Sequence, residues 1–124
     1  MTFLTFPFKP VPWQRVKRGR GGHAYVPEKT RRYKNDLALW AKKSFNKPFT
    51  GPLMVGMIFY IAKPKKASNS YPRGDLDNYT KAVNDALNGI AWVDDSQIER
   101  SYAAKRYSTL AEAKIELTIQ ELNK

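Results

Sequence analysis

Five carboxylates, Asp75, Asp77, Asp85, Asp94 and Asp95, fall within the stretch PRGDLDNYTKAVNDALNGIAWVDDSQI (72–98) of a chain whose formal charge is +11. Asp75 and Asp77 are two residues apart, a spacing that turns both side chains the same way on extended backbone. Asp94 and Asp95 follow the apolar run Ile90-Ala91-Trp92-Val93. A helix over 78–88 runs about 16 Å, and residues 90–93 in extended form travel back by roughly 3.3 Å each. The expectation is that Asp94 and Asp95 return beside Asp75 and Asp77. Unpaired like charges at about 4 Å cost several kcal/mol at an effective dielectric near 20, so such a cluster requires a cation. Without cysteine, and with His23 as the one histidine, the fitting ion is a hard divalent cation, Mg²⁺ or Mn²⁺, which prefers oxygen donors and keeps several waters. Carboxylates loaded in this way hydrolyse phosphodiesters: a bound water becomes hydroxide near neutral pH, and charge on the leaving oxygen is offset.

Plainer roles exist for the same residues. An Asp ahead of a helix is usually an N-cap worth about 1 kcal/mol, and Asp77 with Asn78 beside it fits that role. A cap explains neither Asp75 nor the Asp94-Asp95 pair. Lys81, one turn beyond Asp77, is placed to orient that carboxylate or to reach a scissile phosphate; an ordinary i, i+4 surface pair is the simple alternative.

Charge is divided unevenly along the chain. The residues before Asp75 hold sixteen Lys and Arg against Glu28 and Asp36, whereas the rest hold six cations against nine acids. Clustered positive charge of this kind points to a polyanion, with nucleic acid the first choice. The expected phosphate contacts are Arg15, Lys17, Arg18 and Arg20 in a first Gly-containing loop, and Lys63, Lys65, Lys66 and Arg73 in a second. Each is otherwise a solvated surface charge. Trp13, Tyr25 and Tyr71 either stack on exposed bases or, as is commoner for loop aromatics, pin their loops to the domain. His23 is read as a loop residue without a catalytic role.

These residues need a scaffold. Alternation of Leu4, Phe6 and Phe8 predicts a first strand over 2–8, stopped by prolines 7, 10 and 12, and 11–27 reads as a loop that is mobile without a partner. Tyr33, Leu37, Trp40, Ala41 and Ser44 recur at helical spacing, predicting a helix from Pro27 to near Phe45. The run 53–61 is apolar at every position, the pattern of a central strand covered on both faces. Tyr79, Ala82, Val83, Ala86, Leu87 and Ile90 form an amphipathic stripe that Asn88-Gly89 stops. Strands over 98–107 and 113–122 close the domain, joined as a hairpin by 108–112. The expected fold is a single α+β domain over 1–124, a two-layer β-α-β-α-β-β arrangement with a mixed sheet and two main helices on one or both of its faces. Absent cysteines fit a reducing cytoplasm, and no segment reads as a signal peptide or membrane span. A soluble, intracellular protein is expected.

The acidic motif resembles the RusA family of Holliday junction resolvases. The matching elements are Asp75-Leu76-Asp77-Asn78, Lys81, Asp85-Ala86-Leu87-Asn88-Gly89 and Trp92-Val93-Asp94-Asp95-Ser96-Gln97-Ile98, supported upstream by Pro12-Trp13-Gln14-Arg15 and the basic loop ending at Tyr25. The similarity covers most of the chain and thins in the first helix and the last strand. The resemblance implies that Asp75, Asp77 and Asp95 are catalytic, metal-binding carboxylates, with Asp94 adjacent in support and Lys81 as the family's functional lysine. It further implies a magnesium-dependent endonuclease of bacterial or prophage origin, a symmetric homodimer that nicks opposed strands of a four-way DNA junction in recombination and repair. Two other classes are compatible with the basic charge: a non-catalytic basic DNA-binding module, and a structural protein whose basic loops face an acidic partner. Neither explains acids presented beside a positive surface, where they weaken anion binding unless a metal screens them.

Overall fold

The computed structural model describes residues 1–14, 17–22, 24–25 and 27–123. Six strands and two long helices follow in the order β1 (Thr2–Phe6), β2 (Lys17–Arg18), β3 (Ala24–Tyr25), α1 (Glu28–Lys42), β4 (Leu53–Ala62), α2 (Leu76–Leu87), β5 (Ile98–Ser108) and β6 (Lys114–Glu121). The main sheet has the order β1-β6-β4-β5 and is mixed: β4 runs parallel to β5 and antiparallel to β6, and β1 runs antiparallel to β6. This is an α+β fold.

Both helices lie on one face of the sheet. Their stripes, Tyr33, Leu37 and Ala41 from α1 and Tyr79, Ala82, Val83, Ala86 and Leu87 from α2, bury against Leu53, Val55, Met57 and Phe59 of β4 and Ile115, Leu117 and Ile119 of β6. The other face of β4 is apolar but not covered by a helix. Met54, Gly56 and Ile58, with Phe3 and Tyr102, line an open hollow there. The expectation that β4 is central holds, since β6 and β5 flank it; the expectation that it is covered on both faces does not. Phe3 at 72% and Tyr102 at 54% exposure mark the uncovered side.

The closing hairpin is a second correction. β5 and β6 are not neighbours, because β4 lies between them, and residues 109–113 cross over its end. The cause is visible in composition. β6 alternates cleanly, burying Ile115, Leu117 and Ile119, and takes an inner position between β1 and β4. β5 (IERSYAAKRYS) has no such apolar alternation and stays at the edge. Only an outer strand tolerates so polar a run.

The first loop also contains structure. Lys17–Arg18 pairs with Ala24–Tyr25 as a two-residue antiparallel ribbon, reversed through Gly21 and Gly22 at φ +81° and +80°, a backbone region open to glycine at little steric cost. α1 begins after Pro27, whose φ of −53° suits a helix entry, and it ends before the expected Phe45. β1 stops at Phe6 because Pro7 follows. Phe8 leaves the sheet and packs edge-on against Trp40, with ring centroids 5.8 Å apart.

Leu117 is 1% exposed at the centre of the sheet whereas Leu110, in the crossover loop, is 63% exposed. Leu117→Ala is therefore expected to lower unfolding free energy by about 3 kcal/mol, and Leu110→Ser to change it by less than about 0.5 kcal/mol, as measured by urea unfolding.

Candidate active site and the neighbouring basic loop

The parallel pairing of β4 and β5 requires α2 to return the chain from the far end of β4 to the near end of β5. α2 therefore starts where the sheet finishes. Tyr79, in its first turns, packs on Phe59 with ring centroids 5.4 Å apart, and Trp13 donates its amide to the Asn78 carbonyl at 2.8 Å. α2 ends where the sheet begins, at the isolated bridges of Trp92 with Asn88 and with Phe49. The indole of Trp92 is fully buried and donates to Asn88 Oδ1 at 2.7 Å. Gly89, at φ +82°, makes the turn after the helix.

This topology separates the carboxylates. Asp75 and Asp77 stand at the N-terminus of α2, while Asp94 and Asp95 stand beyond its C-terminus, just before β5. The twelve residues of α2 span about 18 Å. The expected convergence of all four within one chain is thus not found, because the return run 90–93 pairs with Phe49 near the start of β4 instead of climbing back along the helix. Among the described residues, no group of three or more His, Asp or Glu side chains is placed to hold a metal ion.

The two pairs also differ in what occupies them. The helix starts two residues earlier than expected, so Asp75 and not Asp77 is the N-cap, with Asp77 in the first turn. Asp75 has the extended backbone of a cap (φ −74°, ψ 129°), yet its side chain makes no cap hydrogen bond. Both carboxylates are exposed. Asp94, in contrast, is an engaged cap: its carboxylate accepts from the Ser96 amide at 3.1 Å while Gln97 Oε1 accepts from the Asp94 amide at 2.9 Å. Hydrogen bonds from the Ser96 hydroxyl and amide hold the Asp94 carboxyl below the usual carboxylate range. Gln97 Nε2 then donates to the Phe49 and Gly51 carbonyls, each at 2.9 Å, tying this turn to the start of β4. Asp95 opens the 3₁₀ turn Asp95–Gln97 and is half-buried.

Lys81 makes no ion pair with Asp77. An i, i+4 ion pair forms on α1, between Arg32 and Glu28. Lys81 Nζ instead lies over the Trp13 ring, 4.8 Å from its centroid. Trp13 is partly buried against the core, so it pins the first loop to α2.

The second basic loop, 63–74, occupies the same end of the sheet as the Asp75–Asp77 pair. Lys63, Lys65, Lys66 and Arg73 are all exposed on it. β5 fastens the loop at several points: Ser108 O accepts from the Lys63 amide at 3.0 Å, Tyr107 donates its hydroxyl to Asn69 O at 3.2 Å, and Lys105 Nζ reaches the Pro72 and Gly74 carbonyls. Lys63 Nζ also sits over the Tyr107 ring at 5.5 Å, and Tyr71 is 59% exposed. Arg15 and His23 lie outside the described residues, as do the side chains of Lys17, Arg18, Arg20 and Tyr25. Sequence reasoning did not identify Lys105 or Gln97 as site-building residues. Their partners lie 31 to 33 and 46 to 48 residues away, and nothing local to either residue announces such a contact.

The donors fit a hard divalent ion. Two exposed carboxylates, one of them at a cap position where it does not cap, suit a cation that takes one or two carboxylates and completes its shell with water and substrate phosphate. No described helix is long and apolar enough to cross a membrane.

The chain is similar to known proteins over most of its length. The uncharacterized protein YqaN of Bacillus subtilis (strain 168) is 32% identical over 118 residues, covering 82% of this chain and 80% of that protein. The family model for endodeoxyribonuclease RusA matches residues 7–120, a span that includes both acidic pairs and both basic loops, and the chain belongs to that family.

Proposed function

We propose that this protein is a Mg²⁺-dependent, structure-selective DNA endonuclease that resolves four-way junctions by paired symmetric nicks in recombination and repair. The observation that carries the reading is the exposed Asp75–Asp77 pair, not spent on capping, beside the exposed cations of the 63–74 loop. Lys63, Lys65, Lys66 and Arg73 hold the DNA backbone, joined by Arg15, Lys17, Arg18 and Arg20 of the first loop. Asp75 and Asp77 hold the metal, Mg²⁺ or Mn²⁺, which when bound supplies an activated water and neutralises charge at the phosphate. Lys81, kept at the same helix end by its position over Trp13, reaches toward the phosphate. A cytoplasmic, bacterial or phage-borne protein fits this role.

Asp95, with Asp94 in support, joins Asp75 and Asp77 across a two-fold axis in a homodimer. Among the described residues β5 pairs with β4 alone, leaving one side of an 11-residue strand as an edge. Antiparallel self-pairing of that edge sets the beginning of one β5 beside the end of the other. Asp95 of one copy then stands by the α2 N-terminus of the second. The rival reading, a basic DNA-binding module without catalysis, draws on the lack of a three-carboxylate group within the described residues of one chain.

Three outcomes are expected. With an end-labelled four-way junction, Mg²⁺ gives paired nicks that EDTA abolishes and that a matched linear duplex does not show; Asp75→Asn lowers the rate by at least about 10³-fold while junction binding persists. Tight binding without cutting in Mg²⁺ or Mn²⁺ would establish the binding-module reading. Co-purified mixtures of Asp75→Asn and Asp95→Asn recover nicking of one strand if the site is shared between copies, and none if each chain works alone. About eight phosphate contacts give a slope of log K against log salt near −7, and replacing Lys63, Lys65, Lys66 and Arg73 by Ala brings it to about −3.5.

A further inference from the structure

Three successive carbonyls lead into Asp75, and each accepts from a side chain outside the turn: two from Lys105, which is distant in sequence, and one from Tyr79 in α2. Lys105 Nζ donates to Pro72 O at 2.7 Å and to Gly74 O at 2.6 Å. Between them, Arg73 O accepts from the Tyr79 hydroxyl at 3.4 Å. The turn itself is unusual, with Gly74 at φ +95°, a conformation that side chains rarely adopt. A Cβ at this position would also sit 3.2 Å from the Tyr79 ring. Both donors are anchored in the fold. Tyr79 is buried and packs on Phe59, and Lys105 is the β5 residue paired with that same Phe59.

We infer that Lys105 is a positioning residue for the metal-binding pair: its ammonium clamps the Pro72–Gly74 turn and so sets the direction in which Asp75 and the first turn of α2 leave the loop. A compact ammonium on a flexible stem suits this task. It offers three rotatable donors, two of which are committed to carbonyls that flank a single residue. The Asp75 carboxylate has no cap hydrogen bond to orient it, so its placement depends on the backbone behind it. Partners that orient a metal's ligands, without touching the metal, typically account for 10- to 100-fold in metal affinity. Lys105 is placed to be such a partner, and the inference rests on the metal-dependent reading proposed above.

The test compares wild type with Lys105→Met, which keeps the stem and removes the donors, and with Tyr79→Phe, which keeps the ring packed on Phe59 and removes only the bond to Arg73 O. Mn²⁺ affinity is measured by calorimetry without DNA, junction affinity in EDTA, and amide hydrogen exchange over residues 73–78. Lys105→Met is expected to weaken Mn²⁺ binding by at least 10-fold, to raise the Mg²⁺ concentration for half-maximal cleavage by a similar factor, to speed exchange over 73–78, and to leave EDTA junction affinity within about 3-fold. Tyr79→Phe should shift the same quantities the same way by less, and it stands in if Lys105→Met does not fold. Unchanged Mn²⁺ affinity and exchange in both variants, with a wild type that binds Mn²⁺, would overturn the positioning role alone. A wild type that binds no Mn²⁺ and cuts nothing overturns the nuclease reading and, with it, a role toward metal.

Discussion

Burial of one face of β4 is the constraint on which the other placements depend. Leu53, Val55, Met57 and Phe59 must be covered, and α1 and α2 cover them. Because β6 already pairs antiparallel on one side of β4, β5 takes the other side and does so in parallel. A parallel neighbour needs a crossover, which here is α2. Both halves of the acidic motif lie at the ends of that crossover. The loop that enters α2 holds the second group of cations and Asp75, and the turn that leaves it holds Asp94 and Asp95. The acidic motif is continuous in sequence but divided in space, because the helix linking its halves is fully used in covering the sheet.

Among the described residues, opposite charges share one end of the molecule without pairing directly: neither Asp75 nor Asp77 forms an ion pair with a described lysine or arginine. Lysines there rest on aromatic rings: Lys63 on Tyr107, Lys81 on Trp13 and Lys105 near Tyr71. Such contacts contribute roughly 0.5–1 kcal/mol each at exposed sites, enough to restrict a long side chain while leaving its positive charge facing outward. A salt bridge to Asp75 or Asp77 would orient a lysine equally well, but it would occupy the carboxylate. Holding cations by rings and backbone carbonyls leaves both the positive surface and the Asp75 and Asp77 carboxylates exposed.

The parts of this arrangement that are local in sequence were legible there. The stripe from Tyr79 to Leu87 and the alternation of β6 follow from periods of 3.6 and 2 in side-chain chemistry, the Asn88-Gly89 stop from the residues that favour a helix end, and the central place of β4 from its unbroken apolar run. What could not be read depends on which strands meet. Five residues between β5 and β6 suit a hairpin as well as they suit a crossing over the end of β4, and only the competition for β4's two edges decides. For the same reason the direction of residues 90–93 is not legible in the sequence. The run's length permits a climb along α2, but its pairing with Phe49 forbids it. The clamp on residues 72–74 was invisible because Lys105 looks like any cation in an edge strand until the loop opposite it is placed.

The two acidic pairs make opposite use of the same local rule. At the N-terminus of a 3₁₀ turn, Asp94 spends its carboxylate as a cap, with Gln97 closing the box from the other side. At the N-terminus of α2, Asp75 holds the backbone conformation of a cap and forgoes the bond, leaving unused a contribution of about 1 kcal/mol. A helix can start without that bond when its entry is fixed in another way, and here Gly74, Tyr79 and Lys105 fix it. Departures from local consistency of this kind concentrate where function sets the requirement. The same comparison separates the adjacent acids of the second pair. Asp94 is committed to its turn, whereas the side chain of its neighbour Asp95 has no such commitment among the described residues.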